Sequence, residues 1–134
     1  MTSTVTYKGN LRTVCTHLKS GNSFITDAPT DNNGKGEAFS PTDTVATALA
    51  SCMITVMGIK AAQLNVDLAG AKAEVTKTMA ANPRRISAVA VKLELPEAVD
   101  EKSRAILENT ARTCPVLQSL HPDMELDITL TWNQ

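Results

Sequence analysis

Three cysteines are the residues in this chain best equipped for chemistry: Cys15, Cys52 and Cys114. An odd count is not the signature of a secreted disulfide framework. No C-x-x-C pair occurs, and His17 and His121 are isolated. No metal site is therefore expected, and no cofactor is implied. What remains is thiol chemistry at single positions. Cys52 lies in an apolar run, where a free cysteine ordinarily behaves as a small inert hydrophobe. Cys114 stands at a helix break, just before Pro115, which suits the start of a new turn. A thiolate is favoured near such a helix N-terminus. Cys15 falls within a candidate strand and reads as structural.

Cys52 is carried by the stretch around which the chain is organised, SPTDTVATALASCMITVMGIKAAQL, from Ser40 to Leu64. It reads as one helix. Ser40 is a good N-cap, Pro41 suits the first helical position, and Asp43 completes an acidic capping box. The residues that follow are apolar on nearly every face, which predicts a buried helix. One small sheet covers only one side of such a helix, so a second copy of the chain is expected on the other. The run free of charge, Thr44 to Ile59, is short for a membrane span. The opening MTSTVTYKGN has no apolar core of the signal-peptide kind, so a cytoplasmic location is expected.

Composition narrows the function classes. The 134 residues fit a single domain spanning 1–134. A net charge of −1 disfavours electrostatic binding to nucleic acid or to an anionic membrane. Aromatic residues make up 3 %, too few for a base-stacking surface. The core must be built from Ala, Val, Leu, Ile and Met.

The flanking segments read as strands and a second helix. Val5 to Leu18 is a hairpin turning at Gly9-Asn10, and Ser23 to Asp27 is a third strand. Ala28 to Phe39 is a polar, Gly- and Asn-rich loop. Ala71 to Ala80 and Ile86 to Leu95 form a second hairpin through Asn82-Pro83-Arg84-Arg85, with Val89, Val91, Leu93 and Leu95 on the buried face. Lys77 interrupts the apolar face of the first of these strands, and its stem is expected to snorkel. Asp100 opens a helix with Ile106, Leu107 and Ala111 inward and Arg104, Glu108 and Arg112 outward. Val116 to Leu120 is one further turn. Met124 to Trp132 is a closing strand. Strand runs separated by two helices predict an α+β fold with a largely antiparallel sheet.

The pairing of SPTDTVATALASCMITVMGIKAAQL with a downstream TARTCPVLQSLHPD resembles the OsmC/Ohr family of small thiol peroxidases. The match runs over almost the whole chain: the N-terminal hairpin, the GKGE-type loop, the Ser-Pro that opens the helix, the Pro83-Arg84-Arg85 hairpin and the last strand. The resemblance implies largely antiparallel sheets around a long buried central helix, in an intertwined homodimer. It makes Cys52 the peroxidatic cysteine and Cys114 the resolving one. Organic hydroperoxides would be reduced to alcohols through a Cys52 sulfenic acid and a Cys52–Cys114 disulfide, in defence against oxidative or osmotic stress. The reductant would be a dithiol, such as a lipoyl protein.

A thiolate in an apolar helix is opposed by desolvation and needs a cation. By position, Arg12 matches the arginine that the family supplies for this purpose. Better-studied members place a glutamate directly after the proline that opens the helix. Here Thr42 stands there: either Asp43 substitutes, or Glu37 reaches in from the preceding loop, or the arginine is held otherwise, Asp43 having the capping role as its simpler reading. Phe39, Met53, Ile54 and Met57 are the expected walls of an apolar substrate pocket. The alternative reading is a slow or non-enzymatic thiol redox sensor or small-ligand binder on the same fold.

Overall fold

The computed structural model describes residues 1–96 and 99–133. The backbone divides into two compact units, 1–45 and 46–134, and the boundary falls inside the long helix.

Unit 1 begins with three antiparallel strands in the order β1-β2-β3: β1 (Ser3–Gly9), β2 (Arg12–His17) and β3 (Ser23–Asp27). The first turn lies where Gly9-Asn10 predicts it, and Gly9, Asn10 and Leu11 all take positive φ. That geometry suits Gly and Asn and gives the hairpin its twist. Register stacks Val5, Cys15 and Phe24 side by side across the three strands. They border a groove of about 400 Å³. Val5, Tyr7 and Phe24 are half or more exposed, so this face of the sheet is apolar and uncovered.

The loop after β3 is built rather than loose. The amides of Asn32 and Gly34 both donate to the Pro29 carbonyl, and the Gly36 amide donates to Ala28. A Cβ at Gly34 would sit 1.7 Å from the Ala28 carbonyl oxygen, so only glycine fits there. Helix α1 (Pro41–Gln63) then starts with the expected capping box. The Ser40 Oγ accepts the Asp43 amide at 3.0 Å, and the Asp43 carboxylate accepts the Ser40 amide at 3.0 Å.

Unit 2 holds the rest of α1, then β4 (Lys72–Ala80), β5 (Arg85–Leu95), α2 (Glu101–Ala111), α3 (Pro115–Ser119) and β6 (Glu125–Trp132). The sheet order is β4-β5-β6. As predicted, β5 buries Val89, Val91, Leu93 and Leu95. Its alternate residues face away, as the two-residue period of a strand requires. Lys77 sits half-buried on β4 among otherwise alternating positions. Asp100 caps α2 by accepting the Ser103 amide.

Three points of the structure bear on these expectations. First, β6 runs parallel to β5, with Val91 opposite Ile128 and Leu95 opposite Trp132. The second sheet is therefore mixed, while the other strand pairs are antiparallel, so the largely antiparallel expectation holds. The cause was present in the sequence: a strand, two helical segments and a strand make a crossover, and parallel neighbours need one. Second, within its own chain α1 is buried on one face, the cover expected from one sheet. Ala46, Leu49, Ala50, Met53, Met57 and Ala61 pack into the core with β5 and α2, while Val45 and Ile59 remain 41 % and 61 % exposed. Length and composition alone would also let α1 cross a membrane, so the length argument against a span does not hold; the helix instead spends its apolar face on a protein core. Third, Arg104 and Glu108 do not simply face outward. The Trp132 indole donates to Glu108 Oε1 at 3.0 Å, and the Arg104 guanidinium lies 5.7 Å from the indole centroid. The apolar end of β6 thus recruits both charged side chains to cover it.

Candidate functional site

The residues singled out for chemistry fall into two clusters, one in each unit. In unit 2, α1 carries Cys52 at the margin of its buried face, directly before the fully buried Met53. Cys52 is half-buried. Cys114 arrives from the other direction. Leu107, Ala111 and Cys114 continue one buried line down α2 and past its end. The last turn tightens there, with the Thr113 amide donating to Thr110 and the Cys114 amide to Ala111. Pro115 then begins α3, with Cys114 as its N-cap. These constraints bring the two thiols close enough for Cys52 to act on the titration of Cys114. Both are reduced.

The electrostatics of Cys114 depart from expectation. Its place at the N-terminus of α3 is as predicted, and the amides of Leu117 and Val116 do favour the thiolate. Burial outweighs them, because Cys114 is 1 % exposed, and the neighbouring Cys52 adds to the effect. The net result is a thiol pushed above its ordinary 9.0. At neutral pH Cys114 keeps its proton.

The pocket residues distribute unevenly. Met53 and Met57 are fully buried in the core of unit 2, and Ile54 is half-buried beside them. Phe39 belongs to unit 1 and is 56 % exposed.

In unit 1 the centre is Arg12. Its Nε donates to Asp27 Oδ1 at 2.7 Å and its Nη2 to Oδ2 at 2.8 Å, a two-pronged pair between residues directly opposite on β2 and β3. Nη2 also reaches Glu37 Oε1 at 3.3 Å. The Glu37 amide donates to Asp27 Oδ2 at 3.2 Å, and the Asp27 amide donates to the Phe39 carbonyl. Hydrogen bonds from Arg12 hold the Asp27 carboxyl below its ordinary 3.8, against the desolvation that opposes them. The same contacts raise Arg12. Of the acids expected near the arginine, Glu37 is there, on the exposed side. Asp43 caps α1. Asp27 was not foreseen. Finding it required the register of β2 against β3, which the Ser20-Gly21-Asn22 turn sets and which puts opposite charges across from one another.

Among the described residues, no group of three or more His, Cys, Asp or Glu side chains could hold a metal ion.

Comparison with known proteins agrees with this architecture. Residues 34–129 match the family described as OsmC-like protein. No curated protein matches the sequence. The fold is similar to a crystal structure from Psychrobacter arcticus 273-4, of a protein whose name assigns it to osmotic stress induction and a detoxification response. Identity is 55 %, the TM-score is 0.95, and 98 % of this chain and 96 % of that one are covered. An OsmC-like protein from Mycoplasma pneumoniae superposes with a TM-score of 0.82 at 14 % identity, covering 98 % and 96 % of the two chains. A Legionella pneumophila protein described as an organic hydroperoxide resistance protein OsmC gives 0.75 at 15 % identity, covering 98 % and 97 %. With its family match extending over most of its length, the chain belongs to the OsmC-like family.

Proposed function

We propose that the protein is a stress-response thiol peroxidase that reduces organic hydroperoxides to alcohols. The observation that carries this reading is the pairing of two free cysteines within one unit, Cys52 close enough to Cys114 to affect its titration. Their unequal burial divides the labour. Cys52 is accessible enough to meet a substrate, and Cys114 waits behind it, protonated and enclosed. Family membership supports the same chemistry, as does the stress and detoxification naming of the Psychrobacter protein.

The steps balance as follows. The Cys52 thiolate attacks the outer oxygen of the hydroperoxide, an S–O bond forms and the O–O bond breaks. The departing alkoxide takes the hydroperoxide proton and leaves as the alcohol. Once protonated, the sulfenate loses water as Cys114 attacks its sulfur, giving the Cys52–Cys114 disulfide. A dithiol of the lipoyl kind then reduces that disulfide and is itself oxidised. By its family position, Arg12 is the candidate for the cation that the thiolate needs. Ile54 offers apolar surface to the organic group, with Met53 and Met57 giving bulk from behind. The working form is a homodimer, in which a second copy covers the exposed side of α1 and the uncovered face of the β1–β3 sheet. A cytoplasmic location fits chemistry that needs reduced thiols.

Mass spectrometry after one equivalent of cumene hydroperoxide tests the reading, with hydrogen peroxide in parallel. A rapid Cys52–Cys114 disulfide with the organic peroxide alone is the expected result. Cys52 remaining a free thiol under both removes the peroxidase assignment. The substitution of Thr42 for the family's glutamate favours a second reading, a slow redox sensor or small-ligand binder. Rapid repeated turnover with a dithiol excludes that alternative.

A further inference from the structure

The resemblance leaves one post unfilled, since the acid expected to orient the arginine is replaced by Thr42. Yet the Arg12 guanidinium is already oriented within unit 1. Both prongs of its Nε/Nη2 edge are engaged by Asp27. Asp27 is 1 % exposed, and its carboxylate is fixed by a third donor, the Glu37 amide. Glu37 differs in kind. Its side chain is 63 % exposed and reaches Nη2 through a single longer contact of 3.3 Å. The remaining amino group, Nη1, makes no hydrogen bond among the described residues.

We infer that Asp27 is the positioning residue for Arg12: it takes the Nε/Nη2 edge in a two-pronged grip and leaves Nη1 to donate to a substrate oxygen. Glu37 is an outer contact that a substrate can displace. The inference rests on the peroxidase reading above and adds the residue that does the orienting. Asp27 touches neither peroxide nor sulfur. Its effect passes through the direction of the guanidinium, which matters as charge develops on oxygen in the transition state. An asparagine there would keep one acceptor and turn an N–H₂ donor toward the guanidinium, so the grip would break.

The test compares two reactions of Cys52 in the full-length wild type, Asp27→Asn, Asp27→Glu and Glu37→Gln. Cumene hydroperoxide needs an oriented donor, whereas iodoacetamide needs only an accessible thiolate. A merely structural defect alters both rates together, so the readout is their ratio. Asp27→Asn is expected to lower the ratio about tenfold or more. Glu37→Gln is expected to lower it about threefold, as befits an exposed pair. Asp27→Glu retains the charge but moves the carboxylate by one methylene. It is expected to fall with Asp27→Asn, and it serves as the readout should the asparagine variant not fold. An undiminished ratio in the Asp27 variants, with a reactive wild type, overturns the inference alone. A fall in Glu37→Gln as deep as in the Asp27 variants transfers the role to Glu37 and also overturns it. A wild type inert to the peroxide removes the proposed function and the inference with it.

Discussion

The two three-stranded sheets obey the same alternation rule with opposite results. In β4–β5–β6, the apolar side of the central strand is fully enclosed, from Val89 to Leu95. In β1–β2–β3, the corresponding apolar side chains, Val5, Tyr7 and Phe24, stay open to solvent. The second sheet has α1 and α2 to pack against and completes its core within its own unit. The first has register and polar cross-links but no comparable core. Stability is therefore concentrated in the second sheet, and the first is suited to association and to holding a charged group in place.

Substitutions on each sheet should separate these roles. The largest expected effect is Leu93→Ala. Leu93 is 1 % exposed at the centre of the second sheet, and its truncation should cost about 2–5 kcal/mol in urea unfolding. A loss below about 1 kcal/mol would mean that the core is not concentrated there. Ser40→Ala, which removes half of the capping box at the start of α1, should cost about 1 kcal/mol. Val5→Ala on the first sheet should change the unfolding free energy of the dilute protein by less than about 0.5 kcal/mol. Val5→Asp should instead shift sedimentation velocity toward a single copy. If Val5→Asp leaves the sedimentation coefficient unchanged, the uncovered face is not an association surface.

Titration sharpens the same contrast. Asp27 is depressed in the folded protein, so its contribution to stability is present above 3.8 and disappears as pH falls through its lower folded value. Cys114 is raised, so stability is unaffected below 9.0 and declines above it, as the unfolded chain releases a proton that the folded chain retains. Urea midpoints taken under reducing conditions should fall at both ends of the pH range. Cys114→Ser should flatten the alkaline fall and leave the acid one intact. An alkaline fall that persists in Cys114→Ser would contradict the origin assigned to it.

Much of this was legible in the amino acids. The bounds of β3, the capping box of α1, the buried set on β5 and the Asp100 cap follow from local spacing alone. Cys114 at the head of α3 follows from Pro115. The failures share one physical cause, because each depends on what a segment meets rather than on what it contains. The dipole at α3 favours a thiolate, but desolvation by surrounding side chains decides the sign. Arg104 and Glu108 look like solvent residues until Trp132 is placed beneath them. Asp27 becomes visible only once β2 and β3 are set in register.

One arrangement on those strands has a spectroscopic consequence. The chain contains a single tyrosine and a single tryptophan. Tyr7 lies on β1 and Trp132 on β6, so each unit carries its own optical reporter. Tyrosine absorbance and tryptophan emission followed through one denaturant titration give two independent melting curves without labels. Coincident curves mean that both halves of the molecule unfold as one cooperative body. An earlier tyrosine transition marks a first sheet that loosens while the thiol-bearing half stays intact.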